Sequence, residues 1–133
     1  MSLSYGKDST ACLGAILELG WPLHRVVTAD VWATDAIPAD LPPMVQFKEK
    51  LDQYIKDTFG IEVEHVCAMR CGEKITYEKL FYHVPVRNNG RSCFKSGSIL
   101  GFPVPKIPWC TGDLKRAALK RTFLLAPWHE EQV

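Results

Sequence analysis

The chain lacks a long apolar run, an excess of charge of one sign and any internal repeat or low-complexity tract. No apolar stretch approaches the ~20 residues of a membrane-spanning helix. Net charge is +1, and acids and bases are mixed along the sequence, so no basic surface for nucleic acid is visible. Because no basic region followed by an apolar stretch opens the chain, we expect no signal peptide and a cytoplasmic protein. Neither a membrane nor a nucleic acid is an expected partner.

Cysteine and histidine show no regular spacing. The five cysteines are odd in number, which does not fit a secreted disulfide framework, so reduced thiols are expected. A metal or iron–sulfur site remains an alternative for the thiols of the second half, where the first two would share a face if helical: Cys67, Cys71, Cys93 and Cys110. No metal ligand is predicted. The histidines are expected at the surface or in packing: His24, His65, His83 and His129.

The composition of the 133 residues, with 47% hydrophobic and 23% charged residues, predicts one domain spanning 1–133. Residues 9–19 have apolar residues at helical spacing and then Gly20 and Pro22, which predicts a largely buried helix. Residues 25–32 form a nearly continuous apolar run, typical of a strand covered on both faces. Asp30 lies near the carboxyl end of this strand.

The next segments continue the alternation. Asp40 is expected to cap a helix that has Pro42 in its first turn and ends at Gly60. Residues 61–66 alternate Ile, Glu, Val and Glu, which predicts a strand with one wetter side. With a short strand at residues 1–3, the order strand, helix, strand, helix, strand predicts a parallel sheet.

The second half is less regular. A short helix is predicted near residues 76–82, a helix over 111–121 and a strand over 122–126, with loops rich in Gly, Asn, Ser and Pro between them. The helix over 111–121 has its apolar residues on or near one face: Leu114, Ala117, Ala118 and Leu119. Several aromatic residues either pack this half or stack on a base: Tyr77, Phe81, Tyr82, Phe94, Phe102 and Trp109.

The segment SYGKDS, residues 4–9, precedes the first helix and has the composition of a phosphate-binding turn. A tight turn at Gly6 exposes backbone N–H groups at a helix N-terminus, where an anion is favoured. Lys7 adds a positive charge, Ser4 and Ser9 add hydroxyl groups, and Asp8 can cap the helix or hold a metal.

SYGKDS resembles the SGGKDS signature of the PP-loop ATP pyrophosphatase superfamily, with Tyr5 in place of one glycine. WCTGDLK, residues 109–115, resembles the WCT…LK element of the phosphoadenosine phosphosulfate (PAPS) reductase family within it. The resemblance implies a three-layer α/β/α Rossmann-like fold, of the adenine nucleotide α-hydrolase-like type. Since Tyr5 is bulky, its turn must avoid positive φ or be strained.

The resemblance also implies roles for individual residues. The phosphates of an adenine nucleotide, ATP or a sulfonucleotide, would be held by Ser4, Gly6, Lys7, Asp8 and Ser9. Asp30 and Val31 would lie near adenine or ribose, and Lys115, with Arg116 as a helper, near the phosphate or sulfate end. Lys7 and Lys115 are the candidate catalytic residues. Mg²⁺ is an optional cofactor, and an iron–sulfur cluster is not expected because Cys110 has no adjacent cysteine.

Several alternatives remain open. The implied activity is that of a sulfonucleotide reductase or transferase, with a homodimer or a thiol donor protein as a partner. Adenylation with release of pyrophosphate is a second enzymatic alternative, and Cys110 is an alternative nucleophile. The short first strand and the missing C-terminal cysteine motif suit a domain truncated at both ends, which binds a nucleotide or a partner without turnover.

Overall fold

Helices and strands alternate along the first half of the chain, as the sequence predicts. The computed structural model describes residues 1–85, 97–103, 105 and 108–125. Its elements are α1 (Lys7–Glu18), β1 (Val26–Asp30), α2 (Pro42–Phe59), β2 (Val63–Cys67), β3 (Met69–Arg70), β4 (Glu73–Lys74), α3 (Tyr77–Phe81), a π-helix (Cys110–Arg116) and α4 (Ala117–Leu125). None of the described helices has the length and apolar character needed to cross a bilayer.

Strand β1 is the centre of a small parallel sheet. It pairs in parallel with β2, in a register that runs from Val26 opposite Val63 to Asp30 opposite Cys67. On its other side, Ser2 forms a parallel bridge to Val27. The predicted parallel order is confirmed for these segments, and the predicted first strand is reduced to this single bridge.

Two hydrophobic clusters cover the sheet from opposite faces, because successive side chains of a strand alternate. The first joins α1 and α2 to one face through Leu3, Tyr5, Leu13, Val26 and Ile55. The second joins α3, the π-helix and α4 to the other face through Ala68, Leu80, Trp109, Leu114 and Ala118, with Ala29, Val31 and Val66 packed against it.

Two predictions about the helices of the first cluster are wrong. Helix α1 is not largely buried: Leu13 is its buried residue, while Leu17 and Leu19 are 45% and 59% exposed. A narrow sheet covers only one stripe of the helix. The N-cap of α2 is Leu41, with no side-chain cap, and Asp40 instead accepts a hydrogen bond from Lys48.

The strand predicted over 122–126 is also wrong for residues 122–125, which belong to α4; Ala126 lies outside the described residues. The Thr122 hydroxyl donates to the carbonyl of Ala118 at 3.0 Å, a bond that accommodates a β-branched residue in a helix. The helix predicted over 111–121 is confirmed, with a wide π-helical first part.

A β-hairpin occupies part of the region predicted to be irregular. Strands β3 and β4 pair antiparallel, and Cys71 and Gly72 form the turn with φ angles of 50° and 82°. Two successive positive φ values are those of a type I′ hairpin turn. Cys67 lies in β2, so the idea that it shares a helical face with Cys71 is wrong, and Cys93 lies outside the described residues.

Candidate functional site

A cleft of about 330 Å³ opens at the carboxyl ends of the N-terminal segment and β1. Its wall is formed by segments distant in sequence: residues 2–5, the second half of β1, the loop before α2, and the π-helix. In open α/β sheets this end of the strands is where ligands bind. The cleft is therefore the candidate site.

The structure brings some of the predicted residues to the cleft and leaves others outside it. Ser4, Val31 and Lys115 line it. Asp30 lies one contact away, since it binds the cleft residue Lys48. The remaining candidates do not line the cleft: Gly6, Lys7, Asp8, Ser9 and Arg116.

The turn at residues 4–9 is fixed by its own hydroxyl groups. The Ser4 and Ser9 Oγ atoms are 3.0 Å apart, and Ser9 Oγ also donates to the Gly6 carbonyl at 3.0 Å. Gly6 is the N-cap of α1 and provides no side-chain cap. The first N–H groups of the helix have no acceptor within the helix, so they remain suited to an anion.

Tyr5 adopts the strained conformation that the sequence leaves open. Its φ is 57°, in the left-handed region that bulky residues avoid. Burial of the ring, which is 4% exposed, and a hydrogen bond of 2.6 Å from the phenol to Asp52 hold this conformation. Tyr5 therefore connects the turn to α2.

A chain of polar contacts extends from Tyr5 behind the cleft. His65 bridges two carboxylates, with Nδ1 2.8 Å from Asp30 and Nε2 3.1 Å from Asp52. Lys48 Nζ donates to Asp40 at 2.5 Å and to Asp30 at 3.3 Å. We call this set the polar network; its members are Tyr5, Asp30, Asp40, Lys48, Asp52 and His65.

Lys48 stays charged in the network. Burial by itself lowers the pKa of this amine, but the hydrogen bond to Asp40 and the charges of Asp30 and Asp40 outweigh burial, so the pKa is raised. Lys48 Nζ also lies 5.1 Å from the centre of the Tyr5 ring, within the range of a cation–π contact. The ammonium group is thus held in place between two carboxylates and an aromatic ring.

The π-helix contributes the opposite wall. Cys110 and Lys115 line the cleft, while Leu114 between them is buried in the second cluster and anchors the helix. Tyr77 also lines the cleft and packs against Trp109, with ring centres 4.9 Å apart and the ring planes tilted by 51°. Wide helical turns of this kind recur at functional sites. Tyr77 is thus placed both to pack this half of the chain, through Trp109, and to contact a base in the cleft.

We looked for side chains in the described residues that could form a metal-binding site. No group of three or more His, Cys, Asp and Glu side chains there is arranged to hold a metal ion. Cys12, Cys67, Cys71 and Cys110 are free thiols. Mg²⁺ can nevertheless bind through one or two carboxylates when phosphate groups supply the other ligands. Asp40 is the carboxylate that lines the cleft.

Sequence reasoning missed the role of Lys48, Asp52 and His65. Lys48 and Asp52 are four residues apart and share a face of α2, next to the apolar stripe that packs on the sheet. His65 is two residues after Val63 and therefore points to the same face of β2. Lys48 and Asp52, as polar residues beside an apolar stripe, were the available signal, whereas His65 is exposed. His24, His65 and His83 are exposed as expected, and His129 lies outside the described residues.

Raising the pH above about 10 is expected to lower the free energy of unfolding through Tyr5. Burial, followed by the hydrogen bond to Asp52 and the nearby carboxylates, raises the pKa of this phenol above its ordinary 10.0. The folded protein thus binds the proton more tightly than the unfolded chain. The stabilisation is fully present below the ordinary pKa and is lost as the pH rises toward the folded pKa, by at most about 1.4 kcal/mol per pH unit.

Urea unfolding of wild type and Tyr5→Phe, at about pH 9 and about pH 11, checks this expectation. The variant keeps the ring and lacks the phenol, so its stability should fall less steeply. Lys48, whose raised pKa acts in the same direction, is present in both proteins and serves as the common background. Equal slopes in the two proteins would contradict the assignment.

Comparison with protein-family profiles, with curated proteins and with solved structures gives no match.

Proposed function

We propose that this protein binds an adenine nucleotide, ATP or a sulfonucleotide, in the cleft, as a domain similar to the PAPS reductase family. The main support is that one cleft is lined by both Ser4 and Lys115. These residues belong to the two sequence motifs at opposite ends of the chain. The Ser4 hydroxyl group and the Lys115 ammonium group, which both line the cleft, would together bind the negatively charged phosphate or sulfate end.

The shape and position of the cleft support a nucleotide. A volume of about 330 Å³ lies at the lower end of the range for small-molecule sites. Met44 and Leu119 supply apolar wall, and Tyr77 supplies an aromatic ring for a base. Clusters on both faces of a parallel sheet also fit the three-layer α/β/α Rossmann-like fold that we infer for the whole domain.

The proposed activity follows from the ligand. A bound sulfonucleotide would suit a reductase or transferase, for which Cys110 is the thiol at the cleft, whereas bound ATP would suit adenylation or a domain that binds without turnover. Lys115 would stabilise charge on the leaving phosphate or sulfite. Lys7, which is exposed at the start of α1, would assist from outside the cleft.

Calorimetric titration with ATP, with adenosine 5′-phosphosulfate and with its 3′-phosphorylated form tests the proposal. We expect binding of at least one of them, and weaker binding of adenosine, because adenosine lacks the anionic end. Circular dichroism and a cooperative unfolding transition establish that the titrated protein is folded. A folded protein that binds none of these three nucleotides would overturn the proposal.

A further inference from the structure

Few charged side chains line the cleft, and positive and negative charges are unevenly distributed along its wall. They are Asp40, Lys48 and Lys115. Asp30 adds a second carboxylate directly behind Lys48, at 3.3 Å from its Nζ atom. The side of the cleft formed by the loop before α2 therefore has more negative than positive charge.

Lys48 is already occupied by these carboxylates. Its ammonium group has three donors, of which one reaches Asp40 at 2.5 Å and another reaches Asp30. The side chain is 13% exposed, so water screens these contacts weakly. With two carboxylates against one ammonium, this corner has a net charge of about −1. It is suited to donors, such as hydroxyl groups, and unsuited to a second anion.

Two lysines line the cleft, and Lys48 is paired with carboxylates. Lys115 has no carboxylate partner in the part of the chain that the structure describes. Its single positive charge can balance one anionic group in the cleft. A nucleotide with a phosphate on its ribose brings a second anion, which needs a cation of its own. In dinucleotide-binding folds an acidic residue marks a ribose with free hydroxyl groups, whereas an arginine accommodates a ribose phosphate.

We propose that the cleft selects adenosine nucleotides whose ribose has free hydroxyl groups, with Asp40 accepting a hydrogen bond from the ribose, and discriminates against a 3′-phosphate. This inference rests on the proposed function, because it assigns the ligand class of the same cleft. ATP and adenosine 5′-phosphosulfate then belong to the ligand class, and the 3′-phosphorylated sulfonucleotide does not.

Competition binding with two matched pairs tests the selection. One pair is adenosine 5′-phosphosulfate and its 3′-phosphorylated form, and the other is AMP and adenosine 3′,5′-bisphosphate. In each pair we expect the 3′-phosphate to weaken binding at least about tenfold, because like charges would be brought together in a partly buried site. Salt should reduce the difference, since it screens that repulsion.

Asp40→Asn supplies the residue-specific result. It removes one carboxylate and leaves Lys48 with Asp30 as its remaining carboxylate partner, and both effects favour a second anion, so the ratio of affinities within each pair should fall by several fold. Asp57→Asn makes the same change of charge at an exposed position of α2 outside the cleft and should leave the ratio unchanged.

The outcomes separate this inference from the proposed function. If the 3′-phosphorylated forms bind as tightly as their partners or more tightly, the selection is overturned and nucleotide binding stands. An unchanged ratio in Asp40→Asn would overturn the role of Asp40. Binding of none of the four compounds or of ATP would overturn the proposed function and the selection with it.

Discussion

Replacing Leu114 by alanine is expected to lower the free energy of unfolding by about 2–5 kcal/mol. The side chain is 1% exposed and packs in the cluster that joins the π-helix to β1. Removing its branched end leaves a cavity among Trp109, Leu80 and Ala118, whose lining loses contacts that only partial relaxation can restore. Urea unfolding monitored by tryptophan fluorescence measures the loss.

Leu124→Ala is the matched control for this substitution. Leu124 lies in α4, further along the same helical segment, and is 70% exposed. The same chemical truncation there should change the free energy of unfolding by no more than about 0.5 kcal/mol. Comparable losses in the two variants, or a loss below about 1 kcal/mol in Leu114→Ala, would contradict the packing of the π-helix against the sheet.

Replacing Lys115 by alanine is expected to weaken the binding of ATP or adenosine 5′-phosphosulfate by about 10- to 100-fold. Lys115 lines the cleft and has no carboxylate partner among the described residues, so its charge is available to the ligand. A hydrogen bond between charged groups contributes about 1.5–3 kcal/mol, which corresponds to this loss. Calorimetric titration of the variant measures it.

Two further variants define what the Lys115 result means. Lys120→Ala removes the same charge from an exposed position of α4 outside the cleft and should bind almost as wild type does. Lys115→Arg keeps the charge and should recover part of the affinity. Equal weakening by Lys115→Ala and Lys120→Ala would indicate a general effect of net charge. An unchanged affinity in Lys115→Ala would remove this residue from the site.

Local sequence signals were sufficient to predict the strands and helices whose hydrophobic pattern keeps one periodicity from start to end. The apolar run of β1 predicts a strand with buried residues, and Val26, Val27 and Thr28 are buried. Helix α2 follows a 3.6-residue repeat and ends at Gly60, whose φ of 69° suits the left-handed C-cap. In these cases propensity, periodicity and end signals agree.

The misassigned elements are those in which local preference and packing disagree. Residues 122–125 have strand-like composition, yet they continue a helix whose earlier turns are fixed by Leu114 and Ala118 in the second cluster. Tertiary packing outweighs such a weak preference. The hairpin at Cys71 was missed because Cys-Gly is a much weaker turn signal than Asn-Gly.

Site residues that belong to a sequence motif could be predicted, whereas contacts between residues distant in sequence could not. Ser4 and Lys115 stand in recognisable segments, and both line the cleft. The contact of His65 with Asp30 and Asp52 depends on the register of β2 beside β1 and on the packing of α2 over both strands. Those relations are long-range, so no window of sequence contains them.

The π-helix determines which side of the following helix, α4, faces the sheet. Trp109 and Leu114 are both buried at a spacing of five residues, which an α-helix of 3.6 residues per turn would place on different sides. Deleting one residue within Cys110–Arg116 would tighten this turn and rotate the two flanking parts by about 100° relative to each other. Lys115 could then no longer line the cleft while the buried face of α4 stays packed in the second cluster. Chain length in this segment is therefore under tighter constraint than most of its side chains are.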